Sequence, residues 1–351
     1  MKPNIGIIGC GEIFIHHYGG LKKFCANVVH ICDVDEERAR PYVDYFKARY
    51  SRDYHELINN PEVTAVCIFT GSFLHKEMAI AALKAGKDVI CEKTMTISAA
   101  QAEEVVRATK ESGRIFITGY MKRFFPAYDK AKALIPKLGK IFHAHIRSYQ
   151  PWGNLFDRDQ IPEDRLASLK EVRQRNGSVV LMCSGSHMID LMLSLLGRPK
   201  SVYASVDYIE GTDLDRRVNA LFEYDGSMVV HFDVAANNNR CSGYERNGWD
   251  EFVKIIGTEG MLEFYTVTWN KSENNGILLV HYDNATGTRT EYCMPPVNAF
   301  HLEVEAYLKA LEERKQIHPD VIDGFAVDNI IEAIFESSRE KMPVIIDWKG
   351  F

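Results

Sequence analysis

Gly9-Cys10-Gly11-Glu12-Ile13-Phe14 follows directly on the apolar run Ile5-Gly6-Ile7-Ile8 and opens an amphipathic segment. In that setting Gly9 permits a tight turn and Gly11 lets the backbone approach a pyrophosphate. Glu12 and Ile13 begin a helix whose N-terminus favours anions. The third glycine of the usual pattern is Phe14, so the helix is expected slightly further from the strand. Asp33 closes the next apolar run, 22 residues after Gly11. A carboxylate there accepts hydrogen bonds from an adenosine ribose and repels a 2′-phosphate. No arginine follows it directly, and Arg38 is five residues on. These residues predict a dinucleotide site that takes NAD in preference to NADP, without excluding NADP.

The elements that must hold such a site are legible upstream of residue 120. Apolar runs at 5–8, 28–32, 65–69, 89–91 and 115–118 read as strands. Amphipathic segments at 12–25, 36–50, 75–85 and 99–112 read as helices, the last with Ser98 as N-cap and Gly113 just past its end. Nearly continuous apolar strands alternating with helices imply a parallel, doubly wound α/β sheet covered on both faces. After Arg123 the pattern changes to strand-like runs at 141–149, 202–209, 217–224, 227–235, 252–256, 261–265, 277–282 and 288–293. Asp225-Gly226 between two of them reads as a two-residue hairpin turn. This half is expected to be an α/β domain built on a large, mostly antiparallel open sheet. Its uncovered face is a candidate interface for a homodimer or homotetramer. The charged segment 157–176 and the polar segment 236–249 read as loops, 324–338 as a helix and 343–347 as a short strand. The domain boundary falls at 122/123.

At 351 residues the chain has room for two domains. A net charge of −6 without a basic run argues against nucleic acid or an anionic membrane as partner. No stretch approaches the roughly 18 apolar residues of a membrane span, and no signal-peptide pattern opens the sequence. None of the eight cysteines forms a CxxC pair. Reduced, mostly buried thiols, no metal and a cytoplasmic location are expected.

Two further clusters, Thr70-Gly71-Ser72-Phe73-Leu74-His75 and Gly86-Lys87-Asp88-Val89-Ile90-Cys91-Glu92-Lys93-Thr94, join the glycine turn. With Gly119–Pro126 and Gly185-Ser186-His187-Met188-Ile189-Asp190, their order and spacing resemble the glucose–fructose oxidoreductase / inositol dehydrogenase / rhizopine-catabolism family over nearly the whole chain. The resemblance implies a Rossmann domain, a second domain with a large open sheet, and an active site between them. It implies Thr70, His75, Glu92 and Lys93 at the nucleotide, and oxidation or reduction of a carbohydrate or cyclitol. By position Lys93 is the family's substrate-contacting lysine and His187 its acid/base. Both assignments make chemical sense: Lys93 ends a parallel strand at its carboxyl end, where open α/β sheets bind ligands. His187 opens a helix over 186–196, and an imidazole suits removal of a hydroxyl proton as hydride leaves the same carbon. Asp190, one turn on, reads as structural. Weaker substrate contacts are Tyr120 and Arg123, then His145 and Arg147 alternating along one strand, then Trp152 and Cys183.

The sequence departs from the family pattern twice. Thr94 replaces the proline after the lysine, and Cys183 replaces the aspartate four residues before His187. A neutral thiol neither orients an imidazole nor stabilises its cation. Three readings therefore stand side by side. The substrate or another residue takes the carboxylate's part; the enzyme runs in the ketone-reducing direction or uses transient oxidation to drive another reaction, such as glycoside cleavage; or the chain binds NAD without turnover.

Overall fold

The computed structural model describes residues 2–351. The described residues up to Met121 pack with Phe300–Asp328 as one unit, and Lys122–Ala299 packs with Asn329–Phe351 as another.

In the first unit, strands β1 (Asn4–Ile8), β2 (Asn27–Cys32), β3 (Arg49–Ser51), β4 (Ala65–Ile68), β5 (Asp88–Glu92) and β6 (Phe116–Gly119) form one sheet. All neighbours are parallel, in the order β3-β2-β1-β4-β5-β6. Helices α1 (Glu12–Lys23), α2 (Glu36–Phe46), α3 (Tyr54–Ile58), α4 (Ser72–Lys84) and α5 (Ala99–Ser112) connect them. The doubly wound sheet is therefore present, in the strand order that binds dinucleotides at its reversal point. Helix α5 has the expected ends: the Ser98 side chain accepts from Gln101 N, and Gly113 sits at φ +61°. The segment 36–50 is not one helix. It stops at Phe46, turns through Lys47 at φ +53° and resumes as β3.

The second unit contains α6 (Pro126–Leu134), β7 (Ile141–Gln150), α7 (Glu163–Asn176), α8 (Ser186–Leu196), β8 (Ser201–Tyr208), β9 (Asp215–Glu223) and β10 (Val229–Ala236). It continues with β11 (Asp250–Gly257), β12 (Gly260–Tyr265), β13 (Leu278–Asp283) and β14 (Thr288–Cys293). After α9 (Ala299–Glu313) and α10 (Val321–Glu340), β15 (Val344–Ile345) completes a sheet ordered β14-β13-β12-β11-β7-β10-β9-β8-β15. Only the β7–β10 pair is parallel. One side of this sheet is packed: along β7, Ala144, Ile146, Ser148 and Gln150 are buried while His143, His145, Arg147 and Tyr149 are only partly so.

Three sequence expectations need correcting here. Most of 157–176 is helix α7, not loop; only Leu166 and Leu169 are buried in it, and Gly177 at φ +90° ends it. The β9–β10 connection has three residues rather than two, because Tyr224 N already donates to Met228 O. Segment 300–328, which sequence alone leaves with the second domain, packs with the first unit. There Val304, Tyr307, Ala310 and Leu311 share one apolar cluster with Ile5, Ile7, Phe14 and Ile31.

Among the described residues no disulfide forms, but only Cys10, Cys32, Cys67 and Cys91 are buried; Cys25, Cys241 and Cys293 are exposed. Among the described residues no single helix is long and apolar enough to cross a membrane.

Candidate active site

The glycine turn at the carboxyl end of β1 is built around close approach. Gly9 has φ +94°, and a Cβ there would meet Phe69 O at 2.8 Å. Gly11 is different, because a Cβ at that position meets no protein atom within 4 Å. Nothing in the protein demands glycine at 11, so the open space fits a ligand lying against the backbone. Gly11 is also the N-cap of α1 and has no side chain to cap it, which leaves the helix start, Glu12 and Ile13, for an external acceptor. Phe14 is fully buried and packs edge-on against Tyr42 with ring centroids 4.8 Å apart.

Asp33 is buried at the end of β2, where it pins this turn. Its Oδ2 accepts from Cys10 N at 2.6 Å and its Oδ1 from Asp35 N at 2.8 Å. A carboxylate has about four lone-pair positions, so acceptor capacity remains for a ribose. Arg38 does reach back, 3.8 Å from Asp33 and 3.2 Å from Asp35. Two carboxylates thus face one half-exposed guanidinium, and the local charge stays negative.

Lys93 follows β5 directly, at the same carboxyl edge of the sheet. Its neighbours are fixed by buried groups. Glu92 Oε1 lies 2.7 Å from His17 Nε2, and Glu92 Oε2 accepts from Lys93 N at 3.0 Å. Burial pushes the Glu92 carboxyl up, but the His17 hydrogen bond and charge, with the Lys93 ammonium and amide, hold it below the usual carboxylate range. Glu303 completes a buried cluster, with Oε2 4.0 Å from His17 Nε2. The Lys93–Thr94 peptide is cis. His75 is fully buried, with Nδ1 2.8 Å from Thr94 O and Nε2 3.0 Å from Thr70 O. His75 and Glu92, expected at the nucleotide, thus have their polar atoms turned to protein groups. Tyr120, expected at the substrate, is fully buried.

In the second unit, His187 is the second residue of α8, entered through a wide π turn at Leu181–Gly185. Asp215 of β9 starts this segment: its carboxylate accepts from Val179 N, Val180 N and Leu181 N at 2.5, 3.0 and 2.9 Å. Burial raises the Asp215 carboxyl, and those amides offset part of the rise. Cys183 and His187 are both half-buried while their neighbours Ser184, Gly185 and Ser186 are buried, so the two share the more open side. Asn176 Nδ2 donates to Cys183 Sγ at 3.5 Å.

Two adjacent cations hold α8 in place. Arg123 grips Asp190 through Nε at 2.9 Å and Nη2 at 2.6 Å. That bidentate pair makes Asp190 structural and turns Arg123, expected at the substrate, toward the helix. Lys122 lies 3.8 Å from Met188 Sδ and pairs with buried Glu251. Glu251 also accepts from Ser148, Gln150 and Thr266 at 2.7, 3.0 and 2.7 Å. Sequence reasoning missed this network, although strand parity places Glu251 on the same side of β11 as Val253 and Ile255.

His145 and Arg147 are not brought to His187. Gly185 packs against Phe232 and Val234 of β10, its Cβ position 3.5 and 3.4 Å from their side chains. His145 and Arg147 point from the opposite face, bound to Asp233 at 2.6 Å and Asp250 at 3.0 Å. Trp152 is half-buried beyond β7, and its carbonyl accepts from Arg165 at 3.1 Å.

Residues 3–120 match the oxidoreductase family with an NAD-binding Rossmann fold, and residues 128–263 match the GFO/IDH/MocA C-terminal domain. An inositol 2-dehydrogenase of Acidothermus cellulolyticus is 38% identical over 97% of this chain and 94% of its own length. An inositol 2-dehydrogenase/D-chiro-inositol 3-dehydrogenase of Lactiplantibacillus plantarum is 24% identical over 96% of this chain and 91% of its own. Levoglucosan dehydrogenase in complex with NADH and levoglucosan shares the fold, with a TM-score of 0.83 at 23% identity over 99% of this chain and all of that one. The chain, with its glycine turn, its lysine past β5 and its histidine on α8, belongs to the GFO/IDH/MocA family of NAD-binding oxidoreductases.

Proposed function

We propose that the chain interconverts a hydroxyl and a keto group on a cyclitol or sugar, with NAD as the redox partner. The observation that carries this reading is the convergence of the Gly9–Gly11 turn, Asp33 and Lys93 at the carboxyl ends of β1, β2 and β5. When bound, the nicotinamide supplies the two-electron acceptor or donor. Lys93 orients the substrate oxygen and stabilises its developing charge. His187 takes the hydroxyl proton as the C–O bond becomes C=O and returns it in reduction. The paired carboxylates Asp33 and Asp35 favour NAD over NADP. Inositol is the leading substrate class, because inositol dehydrogenases are the full-length relatives at 38% and 24% identity. A cytoplasmic location agrees with eight cysteines that form no disulfide among the described residues.

The test is absorbance at the reduced-nicotinamide band with NAD or NADP and a panel of inositols, sugars and glycosides. A dehydrogenase accumulates NADH in proportion to substrate consumed. Glycoside cleavage without net NADH would replace this reading with transient oxidation. NADH binding without turnover on any member of the panel would leave a nucleotide-binding regulator.

We further propose that the open face of the large sheet is covered by a second copy of the chain. Tyr203, Leu221, His231, His145, Lys254 and Glu263 stand opposite one another in a single row across six strands. A row that mixes cations, anions and aromatic or aliphatic side chains is suited to meeting itself. Sedimentation should give a dimer or tetramer of the 40.0 kDa chain, and Tyr203→Asp with His231→Asp should lower that mass. A native protein that sediments as one chain at micromolar concentration removes this interface.

A further inference from the structure

His75 has an unusual pair of neighbours for a buried imidazole. Both nitrogens face main-chain carbonyls, Thr94 O on one side and Thr70 O on the other, and the ring has no exposed edge. A neutral imidazole carries a single N–H, and burial disfavours the second proton. The ring therefore donates to one carbonyl while its rigid plane holds the other at contact distance. The two carbonyls belong to different parts of the site. Thr70 lies in the loop between β4 and α4, at the edge where the nucleotide is placed. Thr94 is joined to Lys93 by one peptide bond, and its Oγ1 also donates to Ser72 Oγ at 3.3 Å on the same α4. The Thr70 loop and the Lys93–Thr94 segment are thus attached to each other through one helix and, at closest approach, through one ring.

We propose that His75 is a positioning residue that couples the nucleotide loop at Thr70 to the placement of Lys93. This rests on the reading of Lys93 and of the nucleotide site given above, and adds a link between them. The link predicts that the two arms can be separated. Asparagine places an amide near the Nδ1 position and keeps the Thr94 arm; glutamine places one near Nε2 and keeps the Thr70 arm. Calorimetric titration with NADH reads the first arm. The rate at which acetic anhydride acylates Lys93, followed by mass spectrometry without nucleotide, reads the second. His75→Asn should weaken NADH binding about tenfold and leave Lys93 acylation near native. His75→Gln should keep NADH affinity within about threefold and change Lys93 acylation by about tenfold. Variants that move neither readout, or only the opposite one, overturn the coupling.

A measurement on the native chain covers the case in which a variant does not fold. With ¹⁵N-labelled histidine, the His75 ring nitrogens should shift when NADH saturates the protein, and unchanged shifts overturn the proposal. The underlying reading fails in other ways. Native protein that binds no NADH removes the nucleotide site and the coupling with it. Turnover that survives Lys93→Ala removes the lysine's role while leaving the separation of the His75 arms intact.

Discussion

Lys93→Ala and His187→Ala should each lower kcat/KM on the active cyclitol or sugar by about 10²–10⁴-fold, the usual worth of a positioned proton-transfer or charge-stabilising group. NADH affinity should stay within a few-fold of native in His187→Ala, since His187 belongs to the second unit and the glycine turn and Asp33 to the first. The size of the His187 effect follows from its surroundings. The nearest carboxylate along α8, Asp190, is held by both Arg123 bonds. The residue four before His187 is a thiol whose Sγ accepts from Asn176. No carboxylate on α8 is therefore placed to take the proton when the imidazole is removed. A His187→Ala enzyme that turns over within tenfold of native would sink the assignment, and a Lys93→Ala enzyme that does so would sink the other.

Lys122→Met should destabilise the second unit by about 3–5 kcal/mol, the cost of a buried charge left without its partner. Glu251 is fully enclosed, and its two oxygens serve Lys122, Thr266, Ser148 and Gln150. Without the ammonium the three neutral donors remain and the carboxylate's charge is uncompensated. The double variant Lys122→Met with Glu251→Gln should recover much of the loss, because it removes both charges. Denaturant midpoints measure this, and their acid dependence carries a sign. In the native chain burial raises the Glu251 carboxyl, but Lys122 and the hydroxyl donors outweigh it and hold the carboxyl below its ordinary range. That contribution is present above the ordinary glutamate value, about 4.3, and fades as pH falls through the lower folded value. In Lys122→Met burial is opposed only by neutral donors and the carboxyl rises. Stability should then increase on acidification toward pH 4 rather than fall. A single variant within about 1 kcal/mol of native would show that Glu251 is less enclosed than described.

Much of this architecture was legible because local and global signals agree. Helix α5 has its bounds written in Ser98 and Gly113, and α8 ends at Gly197, so both match their expected ranges residue for residue. Helix α7 reads as loop in the sequence because its outer face is charged and only Leu166 and Leu169 reach the core. Its acidic first turn, basic last turn and terminal Gly177 were the signals available. Strand β3 is three residues long and too short to break the helical pattern that precedes it. The site shows a sharper limit. Alternation along β7 separates His143, His145 and Arg147 from Ala144, Ile146 and Ser148, yet it does not say which set faces α8. Polar residues occur on both sides, and only the tertiary packing of Gly185 on Phe232 and Val234 decides. The same alternation would have found Glu251, a lone carboxylate on the apolar side of β11. His17 lies on the buried stripe of α1 with Phe14 and Leu21, but its partner Glu303 is nearly 300 residues away, beyond any periodicity.

During synthesis the first 121 residues leave the ribosome well before α9 does. Yet Val304, Tyr307, Ala310 and Leu311 fill the same apolar cluster as Ile5 and Ile7. Further along the return segment, Gln316 bonds both N and O of Phe116, and Asp328 takes the amide and hydroxyl of Thr96. At about 5–20 residues per second, the nascent first unit waits ten seconds or more, on the order of the time to make the second, with that cluster open and the edge of β6 bare. Its completion is tied to a segment made only after strands β7 to β14 of the large sheet, so a chain stopped anywhere before Asp328 carries an unfinished nucleotide-binding half.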